Sequence, residues 1–141
     1  MYDNYLKIIK PMGYEPENLI YINLEQSMTE PYQAYFIVFR HAHRITVMIR
    51  GSYTNADNVT NFDAESVELK IGEISGHVHR GYLQMARKVL RILSEKHLLD
   101  SYYNGDADLI FCGHSLGAAV VIICVALLSC QHAEERNFTY E

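Results

Sequence analysis

Apolar residues fall along this chain in several rhythms, each of which predicts a different element. Tyr82, Met85, Ala86, Val89, Leu90 and Leu93 recur at i, i+3, i+4, i+7, i+8 and i+11, while Gln84, Lys88, Arg91 and Glu95 take the opposite face. That is an amphipathic helix with one stripe turned to a core. Residues 34–40 and 44–50 are two aromatic and β-branched runs separated by His41-Ala42-His43, which predicts two antiparallel strands and a short turn. Residues 109–112, Leu-Ile-Phe-Cys, are wholly apolar, as in a central parallel strand covered on both faces. From 116 to 130 the chain is apolar nearly all round, which predicts a helix buried on most sides. Residues 51–63, rich in Asn, Asp, Thr and Ser, read as an irregular loop, Asn104-Gly105-Asp106 as a turn, and the segment holding Pro11, Pro16 and Pro31 as the loop-rich part. Strand, helix, strand, helix in this order argues for an α/β sheet.

Composition narrows the classes. With 141 residues, 49% hydrophobic and 21% charged, the chain is sized for one globular domain or part of one. Its net charge of -5, without a basic stripe, argues against nucleic-acid binding. Cys112, Cys124 and Cys130 all lie in the apolar C-terminal stretch. An odd count without framework spacing reads as small buried hydrophobes in a reducing compartment. The first ten residues lack the apolar core and cleavage site of a secretory signal. The run 116–130 is shorter than the about 20 residues of a spanning helix. The expected location is cytoplasmic or peripheral to a membrane.

The candidate chemistry sits between the last strand and the last helix, at Gly113-His114-Ser115-Leu116-Gly117. A serine hydroxyl is a weak nucleophile and must be presented clear of neighbouring side chains. A sharp strand-to-helix turn does this, with glycine two residues before and two after to let the backbones close up. The helix that follows aims its N-terminus at the site, so the Leu116 N–H can donate to the oxyanion. The alternative is a glycine-bounded turn in which Ser115 only caps the helix.

These blocks together resemble the class 3 (fungal-type) lipase family, most of all its sn-1-specific diacylglycerol lipases. The likeness rests on the strand 45–49 followed by Arg50-Gly51-Ser52, then Asp57 and Val59-Thr60-Asn61-Phe62, the acidic segment Asp63-Ala64-Glu65-Ser66, His79-Arg80-Gly81, and the elbow, in that order. Where many relatives carry Asp-Trp and Asp-Leu, this chain has Asp57-Asn58 and Asn61-Phe62. The resemblance implies an α/β-hydrolase fold, with a mixed sheet and strand–elbow–helix, Ser115 as nucleophile, and Ser52 beside the Leu116 amide in the oxyanion hole. It also implies an acylglycerol ester substrate met at a membrane or droplet surface. By itself, Ser52 could equally cap a turn. No cofactor is implied, since triad hydrolysis needs none.

The triad order Ser, acid, His requires partners downstream. Beyond the elbow the chain offers His132 and the acids Glu134, Glu135 and Glu141. Along an unbroken helix His132 would lie about 25 Å from Ser115. Upstream, His77 and His79 would share a face of a strand and suggest a metal site, but a third ligand is not evident. His41, His43 and His97 read as solvated, and His114 as turned away from the nucleophile. Residues 1–141 are therefore expected to form a single partial α/β-hydrolase domain that stops after the nucleophile helix. The expected function is a lipase-like serine hydrolase. The alternatives are a catalytically dead remnant that binds lipid or protein, and another serine esterase or thioesterase.

Overall fold

The structure, a computed structural model, describes residues 10–23, 32–51 and 65–133. Two 3₁₀ turns, Lys10–Met12 and Pro16–Asn18, lead into strand β1 (Leu19–Asn23). Strands β2 (Phe36–His41) and β3 (Arg44–Ile49) follow, then β4 (Ser66–Ile71) and β5 (Ile74–His79). Helix α1 (Arg80–Glu95), the short α2 (Asp100–Tyr103), strand β6 (Asp108–Gly113) and helix α3 (Leu116–Ala133) complete the order.

The main sheet runs β1-β2-β3-β6. The first two pairings are antiparallel, and β3 with β6 is parallel, from Arg44 opposite Asp108 to Ile49 opposite Gly113. It is a mixed sheet, as expected. The hairpin of β2 and β3 falls where the two apolar runs predict it, its turn made by Ala42 at φ 50°.

Alternation along the strands sends neighbouring side chains to opposite faces, and each face finds its own cover. Phe36, Val38, Ile45, Val47 and Ile49 join the core that the stripe of α1 and the inner side of α3 complete. Val38, Val47, Leu90 and Leu93 are fully buried there, each worth about 1.5–3 kcal/mol over an exposed position. Ile37 and Phe39 point the other way and meet Tyr14, Leu19, Ile22 and Met48. Tyr14 stacks on Phe39 at 5.0 Å, and its hydroxyl pairs with Oγ1 of the buried Thr46 at 2.9 Å. The proline-bearing N-terminal segment thus includes a sheet strand and the cover of one face. Its short runs, broken by Pro16 and Asn18, hid β1 from the periodicity.

Three expectations need correction. Among the described residues strand β6 ends the four-stranded sheet, where a central strand was expected, and Ile110 on its second face is 38% exposed. Helix α3 packs one side on the core but leaves Ile122 69% and Val125 45% exposed. Of the cysteines only Cys124 is buried, whereas Cys112 and Cys130 are partly exposed. The physical reason is common to all three, since apolar composition records what an element tolerates and not which neighbours this chain supplies. The hairpin of β4 and β5 went unpredicted, although Val67, Leu69 and Ile71 alternate with Ser66, Glu68 and Lys70.

Candidate active site

Only His114 and Ser115 separate the end of β6 from the start of α3, so the chain must reverse within two residues. Ser115 makes the reversal at φ 55°, a left-handed conformation that costs a residue with a Cβ about 1–2 kcal/mol. The helix supplies the restraint that holds it there. Gly117 N–H donates to the His114 carbonyl at 3.0 Å, and the N–H groups of Ala118 and Ala119 donate to the Ser115 carbonyl at 2.9 and 3.2 Å. The Leu116 N–H takes part in none of these bonds, while the Leu116 side chain is buried beneath. Ser115 and His114 are exposed.

The glycines are a steric requirement. A Cβ on Gly113 would lie 2.6 Å from the carbonyl carbon and oxygen of Gly117. A Cβ on Gly117 would run into the Ile49 carbonyl oxygen and reach 2.9 Å from that of Arg50. A third close approach comes from the end of β3. A Cβ on Gly51 would stand 2.7 Å from the His114 carbonyl oxygen and 3.5 Å from the Ser115 Cβ. Parallel pairing explains this: with Ile49 opposite Gly113, the next residues of each strand run on beside one another. Gly51 is thus a site residue that the sequence reading passed over, although its place in Arg50-Gly51-Ser52 was a usable signal. Ser52 itself lies outside the described residues, as do Asp57 and the acidic segment up to Ala64.

The histidines take other roles. His79 caps α1, its Nδ1 accepting from the Tyr82 N–H at 3.4 Å while its ring stacks on Tyr82 at 4.0 Å. His77 is exposed opposite Glu68 in the hairpin, and His97 faces Asp100 at 3.3 Å on the surface. Helix α3 continues unbroken to Ala133, so position 132 stands about 25 Å along the axis from Ser115. Burial pushes the Cys124 thiol up to about 12. Its Sγ–H donates to the Ala86 carbonyl at 3.8 Å, tying α3 to α1. Burial also raises Cys112, three residues before the serine. A thiol kept protonated is a packing group and a poor nucleophile.

A strand, a tight turn at a serine with positive φ, and a helix on a mixed sheet define an α/β-hydrolase fold, present here in part. The chain belongs to the class 3 lipase family, whose sequence profile, Lipase (class 3), matches residues 46–140. It corresponds to the N-terminal part of that family's fold. It is 26% identical to mouse (Mus musculus) diacylglycerol lipase-beta over 142 residues, which is 97% of this chain and 21% of the relative. A fungal lipase solved in an inhibitor complex superposes with a TM-score of 0.61 at 23% identity, covering 95% of this chain and 52% of that one. A triacylglycerol lipase described as having a serine-protease triad gives 0.53 at 27% identity, covering 84% and 44%. The chain therefore spans about a fifth of the curated relative and about half of the solved lipases it matches.

Proposed function

We propose that this chain is the nucleophile-bearing part of a lipase domain that cleaves acylglycerol esters through Ser115. The observation that carries the reading is the steric arrangement. A serine is held at φ 55° with glycines at 51, 113 and 117, each lacking room for a Cβ. Strain of this kind on an exposed serine is a burden in a structural turn and a benefit in a nucleophile elbow.

In the reaction, Ser115 Oγ attacks the ester carbonyl carbon as a histidine base accepts its proton. The oxyanion that forms is met by the Leu116 N–H, with Ser52 as the second donor. Collapse expels the glyceride alcohol, protonated by the same histidine, and leaves an acyl-serine that water hydrolyses. Residues 1–141 then constitute one partial domain, cytoplasmic or peripheral to a membrane, meeting its lipid at a membrane or droplet surface. Among the described residues no helix is long and apolar enough to cross a membrane. The family match and the lipase relatives support an ester-lipid substrate.

A second reading, a non-catalytic remnant that binds lipid or a protein, draws on the unbroken α3, which keeps position 132 far from the serine. Labelling of the native protein with a fluorophosphonate probe separates the two. Modification at Ser115, abolished in Ser115→Ala together with a loss of turnover on diacylglycerol of about 10⁶, supports the hydrolase. A folded native protein that stays unlabelled supports the remnant.

A further inference from the structure

The end of β3 carries an arrangement that the elbow alone does not account for. Tyr35 and Arg50 lie one step beyond the pair Phe36 and Ile49, and the Arg50 N–H donates to the Tyr35 carbonyl at 2.9 Å, which extends the ladder. Directly opposite residues project to the same side of a sheet, and here the guanidinium carbon sits 4.0 Å from the centroid of the Tyr35 ring. The ring is itself fixed: Tyr35 is buried, and its hydroxyl donates to Gln33 Oε1 at 2.9 Å. From this platform the Arg50 Nε–H reaches forward to the Gly51 carbonyl at 3.3 Å.

We propose that Arg50, held over the Tyr35 ring, is a positioning residue that sets the Gly51 peptide against the Ser115 elbow. The proposal rests on the reading of Ser115 as nucleophile. Gly51 has left the ladder, so its carbonyl direction is not dictated by sheet hydrogen bonds. A trans peptide is planar, so the direction of a carbonyl fixes the direction of the N–H that follows it. Holding the Gly51 oxygen therefore fixes the plane in which the chain leaves Gly51, the residue that stands against the His114 carbonyl and the Ser115 Cβ, and a nucleophile displaced by a fraction of an ångström loses much of its rate. Arginine suits the task because one planar group stacks and donates at once, which a lysine ammonium does not reproduce.

The test compares kcat and KM in the native protein for Arg50→Lys, Tyr35→Leu, Tyr35→Phe and the double variant Arg50→Lys/Tyr35→Leu, with thermal unfolding as the check on folding. Arg50→Lys and Tyr35→Leu each lower kcat by about tenfold with KM within about twofold. Tyr35→Phe, which keeps the ring, retains most of the rate, and the double variant loses no more than either single one. If Tyr35→Leu does not fold, Arg50→Lys and Tyr35→Phe decide. An unchanged kcat in Arg50→Lys overturns the proposal. A loss confined to KM does so too, because it makes Arg50 a substrate contact. Equal losses in Tyr35→Phe and Tyr35→Leu also overturn it, because they assign the effect to the hydroxyl. A folded wild type that neither labels at Ser115 nor turns over rejects the nucleophile reading itself, before any Arg50 variant is compared.

Discussion

The two long helices pack against each other and begin in opposite ways. Ahead of α1 the chain is extended, with His79 at φ -64° and ψ 122°, and its ring accepts the Tyr82 N–H. Arg80 pairs with Glu65 through both its side chain and its backbone N–H. Ahead of α3 stands Ser115 at φ 55°, exposed, with the Leu116 N–H outside the hydrogen bonds of the first turn. One start carries a side-chain cap, made by a histidine whose other ring nitrogen, Nε2, is buried without a hydrogen-bond partner, whereas the other is strained and carries an exposed serine. Their bodies differ as well. Helix α1 buries one stripe and presents Gln84, Arg87 and Arg91 outward, whereas α3 exposes Ile122 and Val125.

Substitutions can break that contrast, beginning with the most severe. Gly117→Ala forces a Cβ into the backbone carbonyls of Ile49 and Arg50. It is expected to cost about 3 kcal/mol or more in denaturant unfolding, whereas Gly76→Ala, with nothing within 4 Å, stays within about 0.5 kcal/mol. Next come the helix bodies. Leu90→Ala in α1, fully buried, costs about 2–5 kcal/mol, while Ile122→Lys on α3, 69% exposed, changes stability by under about 0.5 kcal/mol in the same measurement. The helix starts give the smallest and most telling pair. Ser115→Gly relieves the positive φ and is expected to stabilise by about 1 kcal/mol while removing the hydroxyl, whereas His79→Ala removes a cap and destabilises by about 1 kcal/mol. Equal signs for these last two in thermal unfolding would erase the distinction between the two starts.

Much of this was legible before any coordinates. The stripe from Tyr82 to Leu93, the paired runs that became β2 and β3, and the elbow between an apolar strand and an apolar helix each announce themselves within a dozen residues. What failed was of two kinds. Strand β1 and the hairpin of β4 and β5 carry short or weakly apolar alternation, as in Val67, Leu69 and Ile71 between Ser66, Glu68 and Lys70, and β5 with Ser75, Gly76 and His77 carries less still. The position of β6 at the sheet end and the exposure of Ile110 failed because composition cannot count neighbours.

The sequence by itself determined the local elements and the need for glycine at 113, which meets Gly117 four residues on, because periodicity and backbone sterics act between residues close along the chain; the demand at 117 comes also from Ile49 and Arg50 at the end of β3. Tertiary structure alone decided that Gly51 stands against Ser115, that Tyr14 closes the second face of the sheet over Phe39 and Thr46, and that Arg50 lies on Tyr35. Those contacts depend on the antiparallel register of β2 with β3 and the parallel register of β3 with β6. A register joins residues distant in the chain, and it is set by the packing of both sheet faces at once.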